Sequence, residues 1–135
     1  MTYLLDACAL LACIKKEPEG IRVKKLFDRA GTGEIAIRMS VVNLTEVYYG
    51  LIRDDGMETA GEIMRSVDDL PLGVIDTVTR AVSRDAARFK VSHAMSLADT
   101  FLCATAKSLS AIIVTKYSDI EAAEHSERLS VLWIK

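Results

Sequence analysis

The chain has 135 residues, the length of a single domain that is large enough to bury a hydrophobic core. Half of the residues are hydrophobic, which excludes a disordered or fibrous protein. The formal net charge of -2 excludes binding to nucleic acid by overall basicity alone, although an enzyme with an acidic site remains compatible with it. We therefore expect one folded domain over residues 1–135.

Short apolar runs alternate with segments of helical spacing along the whole chain. In chain order the sequence predicts a strand over 3–6, helices over 7–16 and 21–30, a strand over 35–42, helices over 43–53 and 57–67, a strand over 74–76, helices over 77–90 and 96–108, a strand over 111–115, a short helix over 119–125 and a last strand over 130–134. Strands that alternate with helices indicate a parallel sheet covered on both faces, so the predicted fold class is α/β.

The three cysteines give information about the compartment. Cys8, Cys13 and Cys103 are odd in number, lack Cys-x-x-Cys spacing and lie among apolar residues. This pattern predicts buried, reduced thiols and no zinc site, as in a cytoplasmic protein. The sequence shows no secretory signal and no apolar run of membrane-spanning length, so we expect a cytoplasmic protein without a membrane partner.

Four acids that are far apart in the sequence stand near the starts of predicted helices. They are Asp6, Glu46, Asp99 and Asp119, and two of them follow predicted strands. In an open α/β sheet ligands bind outside the carboxyl ends of the strands, where such acids can converge. Clustered carboxylates repel one another unless a divalent cation such as Mg²⁺ or Mn²⁺ neutralises them. The pattern therefore predicts a metal site of the kind that hydrolyses phosphodiesters. Thr115, at the end of a predicted strand, has two interpretations: its hydroxyl orients a carboxylate or a water, or it is only a strand residue.

Each acid also has a purely structural interpretation. Asn43-x-x-Glu46 and Ser96-x-x-Asp99 both match the capping box, in which the acid bonds back to the backbone at a helix start. The other two acids match N-cap residues. The two interpretations are compatible, because a capped helix start also holds a carboxylate in place.

Five segments spread over the chain match a known family in order and spacing. They are 3–6 (YLLD), 40–50 (SVVNLTEVYYG), 96–106 (SLADTFLCATA), 112–115 (IIVT) and 131–134 (VLWI). In these segments the chain resembles PIN domains, and within that family the VapC-type toxin ribonucleases. The resemblance implies a three-layer α/β/α sandwich with a short parallel sheet, acids that bind Mg²⁺ or Mn²⁺, and cleavage of RNA. It also implies a homodimer and a neutralising antitoxin protein as partner.

The chain departs from the family pattern at two places. After its first Asp the family often has a small hydroxyl or amide residue, where this chain has Ala7 and Cys8. After the Thr of the fourth strand the family usually has an Asp two residues further on, where this chain has Tyr117. Either Asp119 replaces the missing ligand, or a second metal position binds its ion only weakly.

The leading hypothesis is a metal-dependent endoribonuclease, the toxin of a toxin–antitoxin pair, in which a metal-activated water attacks the phosphorus of RNA. Two alternatives remain open. A phospho-acceptor receiver domain has the same size and class, with Asp54 as acceptor and Lys116 as its lysine. A catalytically inactive PIN domain that only binds a partner is the other, and Tyr117 is the reason to consider it.

The implied homodimer has a predicted surface. The helices predicted over 43–53 and 57–67 carry more apolar area than one buried helix face uses. The residues that supply it are Tyr48, Tyr49, Leu51, Ile52 and Met57.

Overall fold

A five-stranded parallel sheet forms the centre of the protein in the computed structural model, which describes residues 1–135. The strands are β1 (Thr2–Leu5), β2 (Ala36–Ser40), β3 (Gly73–Ile75), β4 (Ile112–Thr115) and β5 (Ser130–Trp133). Their order across the sheet is β3-β2-β1-β4-β5, and each neighbouring pair is parallel.

Seven α-helices surround the sheet. They are α1 (Ala7–Ile14), α2 (Gly20–Gly31), α3 (Val41–Asp55), α4 (Met57–Val67), α5 (Arg80–Ser92), α6 (Leu97–Leu109) and α7 (Glu121–Glu127), with a 3₁₀ turn over Ser118–Ile120. None of these helices combines the length and the apolar character that a membrane span requires.

The side chains of the sheet alternate between two separate cores. On β1, Tyr3 and Leu5 join a cluster that includes Val23 of α2 and Val47 of α3. Leu4, which points to the opposite face, joins a second cluster with residues of α5, α6 and α7. The sheet is thus covered by helices on both faces, and the predicted α/β/α sandwich is confirmed.

Several predicted boundaries differ from the structure by one to three residues, and at two of them a capping side chain was overlooked. The strand predicted over 35–42 ends at Ser40, whose hydroxyl accepts a hydrogen bond from the N–H of Val42 and so starts α3 earlier than predicted. The helix predicted from residue 77 begins at Arg80, because the hydroxyl of Thr79 accepts from the N–H of Val82. A side-chain acceptor at the N-cap fixes where a helix begins more firmly than apolar spacing does.

The position of β1 determines where a ligand can bind. From β1 the chain proceeds to β2 and β3 on one side, and β4 then pairs with the other side of β1. The helices that follow neighbouring strands on the two sides leave a crevice at the carboxyl ends of β1 and β4. The residues directly after these two strands are therefore the ones that face the crevice.

Helices α1 and α2 pack so closely that only glycine fits at their contact. A Cβ atom added to Gly20 would lie 2.3 Å from the carbonyl oxygen of Ala12, which is backbone and cannot turn away. An added Cβ at Gly31, at the other end of α2, would meet nothing within 4 Å.

We expect Gly20→Ala to lower the free energy of unfolding by about 1–3 kcal/mol, since α2 must move to relieve the overlap. The matched variant Gly31→Ala should leave stability unchanged or raise it by up to about 1 kcal/mol, since alanine is the better helix former. Urea unfolding followed by circular dichroism measures both. Equal stability of the two variants would contradict the close packing of α1 against α2.

Candidate metal centre at the carboxyl ends of β1 and β4

The four predicted acids line one cleft of about 350 Å³. The cleft lies at the crevice defined by the strand order, and each acid reaches it from a different segment. Asp6 joins β1 to α1, Glu46 lies in α3, Asp99 lies in the first turn of α6, and Asp119 lies in the 3₁₀ turn after β4. The structure therefore brings together all four carboxylates that the sequence singled out.

Asp6 forms the floor of the cleft and is only 5% exposed. Its Oδ1 accepts a hydrogen bond from the N–H of Ala7 at 2.6 Å, so it also caps α1. Its Oδ2 accepts from the hydroxyl of Thr115 at 2.9 Å and from the thiol of Cys8 at 3.4 Å. Burial raises the pKa of Asp6, and these hydrogen bonds oppose that rise. Of the two interpretations of Thr115, the structure supports the one in which its hydroxyl orients a carboxylate.

Glu46 is held by Asn43, but not in the predicted capping box. Helix α3 begins two residues before Asn43, which is fully buried in its first turn. The Nδ2 of Asn43 donates to Oε1 of Glu46 at 3.0 Å, and its Oδ1 is buried without a partner. Burial raises the pKa of Glu46, and the Asn43 contact lowers it. The expected cap is thus wrong, and Asn43 instead orients a carboxylate of the cleft.

Half of the predicted capping box at Ser96 is present, namely the hydrogen bond that the serine side chain accepts. The hydroxyl of Ser96 accepts from the N–H of Asp99 at 3.1 Å, so Asp99 stands in the first turn of α6. Burial raises the pKa of Asp99 from its usual 3.8 to about 6, and the negative charge of Asp6 contributes. The smaller effects of Glu46 and Asp119 act in the same direction. All three other acids are therefore close enough to oppose ionisation of Asp99.

Asp119 is exposed, and its side chain makes no hydrogen bond or ion pair within the chain. Tyr117 and Ile120 occupy the cap positions of the 3₁₀ turn and of α7, so the expected N-cap role of Asp119 is wrong. Its charge raises the pKa of both Asp6 and Asp99. Asp119 therefore contributes its charge to the cleft rather than to a helix end.

The donor set suits a hard divalent cation. Four carboxylates supply the oxygen ligands that Mg²⁺ and Mn²⁺ prefer, and the raised pKa values show that the cleft disfavours its own negative charge. As the side chains stand, however, no three acidic, histidine or cysteine side chains are arranged to coordinate one ion. Binding therefore requires rotation of some carboxylates. Asp6 can ligate where it stands, because a carboxylate oxygen that accepts one hydrogen bond keeps a further lone pair.

Sequence reasoning missed several other side chains that line the cleft. Tyr49 had been assigned to the dimer surface and Arg53 to no site, whereas Tyr117 had been considered only as the residue that stands in place of the family's Asp. Arg53 is the only basic residue among the twelve that line the cleft. Arg53 follows Glu46 by seven residues, two helical turns along the same face of α3, and this spacing was the available signal. The thiol of Cys8, in the place of the usual hydroxyl or amide, has a pKa raised to about 12 by burial and by Asp6, so it stays protonated and donates.

The receiver-domain alternative is wrong. Asp54, its proposed acceptor, lies in the last turn of α3, where it pairs with Lys15 at 2.5 Å and is absent from the cleft. Lys116 is bound to Glu17 at 3.0 Å and Glu19 at 2.7 Å. A phospho-acceptor must follow a strand and face the cleft, and Asp54 does neither.

Solved structures with the same fold come from toxin–antitoxin systems. A VapBC2 complex of Rickettsia felis bound to a promoter DNA fragment is 18% identical with a TM-score of 0.76, over 98% of each chain. A DNA-bound VapBC complex of Salmonella typhimurium is 17% identical with a TM-score of 0.77, over 100% of this chain and 99% of the other. A sarcin–ricin-loop-cleaving VapC toxin of Mycobacterium tuberculosis is 16% identical with a TM-score of 0.68, over 90% and 94%.

A search of curated protein sequences finds no match to this chain. The model of the PIN domain family, in contrast, matches residues 3–125, which include all four acids of the cleft. The chain belongs to the PIN domain family.

Proposed function

We propose that this protein is a metal-dependent endoribonuclease and the toxin of a toxin–antitoxin pair. The observation that carries the proposal is the convergence of four carboxylates from distant segments on one cleft of a PIN domain. Structurally similar chains support the biological class, since they come from VapBC complexes and include a toxin that cleaves the sarcin–ricin loop.

A bound Mg²⁺ or Mn²⁺ would supply a water of lowered pKa and positive charge for the phosphate in the reaction. The chain's own residues hold and orient that centre. Asp6 is fixed by Thr115 and the helix start, and Glu46 is fixed by Asn43. Asp99 and Asp119 line the same cleft and would complete the ligand set from α6 and the 3₁₀ turn. The thiol of Cys8 stays protonated, so no covalent intermediate on it is proposed.

Homodimerisation and antitoxin binding belong to the same proposal. A groove of about 330 Å³ on α3 is lined by apolar side chains that include Leu44, Tyr48 and Ile52. Tyr48 is 38% exposed and Met57 at the start of α4 is 67% exposed, so both offer apolar surface to a second copy. Leu51, which the sequence had assigned to this surface, is fully buried and contributes to the core instead.

Asp99→Asn tests the catalytic proposal. The variant keeps the shape of the side chain but removes a charged ligand, so we expect it to lose most of the activity against RNA in Mg²⁺ or Mn²⁺. Excess EDTA should abolish the activity of the unmodified protein, and added Mn²⁺ should restore it. Full cleavage in EDTA would exclude the metal mechanism. No cleavage of any RNA by the unmodified protein would instead favour a PIN domain that only binds a partner.

The same variant should be more stable than the unmodified protein in EDTA. With a folded-state pKa of about 6, Asp99 binds a proton in the folded protein that the unfolded chain loses near pH 4. Stability therefore falls as pH rises from about 4 to 6, and Asp99→Asn should recover about 1–2 kcal/mol at neutral pH but nothing below about pH 4. In saturating Mg²⁺ the order should reverse, since only the unmodified site binds the ion fully. Thermal unfolding of both proteins in EDTA at neutral pH, in EDTA below about pH 4 and in saturating Mg²⁺ measures these differences in stability.

Asp119→Ala tests whether this acid replaces the one absent at Tyr117. Because Asp119 caps no helix, the variant should keep its unfolding free energy within about 0.5 kcal/mol. It should nevertheless weaken metal binding and reduce RNA cleavage about as much as Glu46→Gln does. Tyr117→Asp should give no large gain in cleavage, because Asp119 already supplies the missing carboxylate. Unchanged cleavage by Asp119→Ala would leave a site of three carboxylates.

The dimer is tested by sedimentation at micromolar concentration without antitoxin. We expect the unmodified protein to sediment as a dimer and Tyr48→Arg to sediment as a monomer, because the new charge would be buried in the α3 groove. Val91→Arg is the matched control, since Val91 is 89% exposed on α5. A monomeric unmodified protein, or a Tyr48→Arg variant that remains dimeric, would contradict the predicted surface.

A further inference from the structure

A cluster of charged side chains outside the cleft centres on Glu127, the last residue of α7. Arg88 of α5 donates to both oxygens of its carboxylate, from Nη1 at 2.8 Å and from Nη2 at 3.0 Å. Nζ of Lys107 on α6 lies 3.3 Å from Oε1, and Nε2 of His93, which follows α5, lies 3.4 Å from Oε2. None of these four residues, the Glu127 cluster, lines the cleft. The cluster ties α7 to α5 and α6.

The contacts of Glu127 are firmer than those of an exposed ion pair. Its side chain is only 12% exposed, and an arginine that binds a carboxylate through two parallel hydrogen bonds is fixed in geometry as well as strongly bound. The hydrogen bonds of Arg88, and then those of His93 and Lys107, lower the pKa of Glu127 to about 2, so its carboxylate is charged at neutral pH. The end of α7 is therefore held in one position relative to α5 and α6.

The hydrophobic core holds the same segment only in part. Between residues 118 and 127 the buried side chains are Ile120 and Ala123. One further side-chain hydrogen bond joins the segment to another element, from Nε1 of Trp133 on β5 to Glu124 at 3.3 Å. The Glu127 cluster is therefore the main polar attachment of α7.

The contact between Lys107 and Glu127 joins two segments that each supply an acid of the cleft. Asp99 lies in the first turn of α6, about two turns before Lys107. Asp119 lies in the 3₁₀ turn that leads directly into α7, and Glu127 ends that helix. A shift of α7 against α6 would therefore change the separation of Asp99 and Asp119.

We propose that Glu127 is a positioning residue of the metal centre, which holds Asp119 within reach of the ion by fixing α7 to α5 and α6. The inference rests on the proposed metal-dependent function and adds to it a residue that lies outside the cleft. It concerns the backbone of the 3₁₀ turn, whose place α7 determines, while the exposed carboxylate of Asp119 remains free to rotate. Loss of Glu127 should therefore act on the metal through Asp119.

Titration calorimetry of the metal-free protein with Mn²⁺ tests this path. Glu127→Gln keeps the size of the side chain but removes its charge, and it should weaken Mn²⁺ binding about 10-fold, the low end of what the loss of a supporting contact costs a metal site. In an Asp119→Ala background the same change should alter the affinity by no more than about twofold, because the ligand that Glu127 positions is already gone. A change that merely loosened the fold would weaken binding in both backgrounds.

Glu121→Gln is the matched control. Glu121 lies exposed in the first turn of the same helix, so the variant makes the same chemical change without touching the Glu127 cluster. It should leave the affinity for Mn²⁺ unchanged.

The single tryptophan of the chain reports on α7 in the absence of metal. Trp133 packs against the core cluster that contains Ile120 and Ala123. Glu127→Gln should shift its fluorescence emission to longer wavelength, because displacement of α7 exposes the indole to water, and Glu121→Gln should not.

A second variant, Arg88→Gln, serves if Glu127→Gln does not fold. It removes the double hydrogen bond but leaves Lys107 and His93 beside the Glu127 carboxylate. Both effects, on Mn²⁺ affinity and on emission, should therefore be present at smaller size.

Unchanged Mn²⁺ affinity in both cluster variants, or an equal loss with and without Asp119, would overturn the proposal. Failure of the proposed function gives a different result. If the unmodified protein binds Mn²⁺ and shows the dependence on Asp119 but cleaves no RNA, the ribonuclease function fails and the inference stands. If RNA is cleaved but Glu127→Gln acts equally in both backgrounds, only the inference fails. A protein that binds no Mn²⁺ would refute the metal centre and the inference together.

Discussion

The hydrogen bond from Thr115 to Asp6 is the interaction on which the site depends. It joins the ends of β4 and β1, the two strands between which the direction of the sheet order reverses. A carboxylate that is only 5% exposed would be very costly without partners, and Asp6 has three donors from the backbone, a hydroxyl and a thiol. These contacts fix one carboxylate on the floor of the cleft, and the other acids are positioned around it.

The cleft is poorly neutralised by the rest of the chain. Lys116 directly follows Thr115, the partner of Asp6, but its ammonium group is bound by Glu17 and Glu19 outside the cleft. Arg53 is the only cation among the lining residues and faces four acids. Negative charge therefore accumulates where burial already raises the pKa of the carboxyl groups, and a cation is the remaining means of relief. Such a concentration of negative charge reduces the stability of the folded protein and would favour binding of the divalent ion in the proposed metal centre.

The sequence predicted the fold class and the convergence of the acids, because both follow from periodicity and from the geometry of parallel strands. Helix α4 was predicted at Met57–Val67, the bounds it has in the structure. The role of Asn43 was not predicted, since Asn-x-x-Glu reads the same in a capping box and inside a first turn. Arg53 was missed although its spacing of seven residues from Glu46 places the two side chains on one face of α3, because which face of α3 meets the cleft depends on how α3 packs against α1 and α6. Contacts between distant segments carry no local signal in a single sequence.

The four acids differ in how firmly they are held, and this difference bears on how the centre is assembled. Asp6 and Glu46 each have a side-chain partner, whereas Asp119 is exposed in a short turn and bonds to nothing in the chain. Rotating an exposed carboxylate costs little, while moving Asp6 would break three hydrogen bonds. The absence of a ready coordination shell is therefore compatible with metal binding. In the proposed metal centre the fixed acids would define where the ion sits and the freer acids would close around it. The displacement of one ligand from position 117 to Asp119 would then be a change that the site can tolerate.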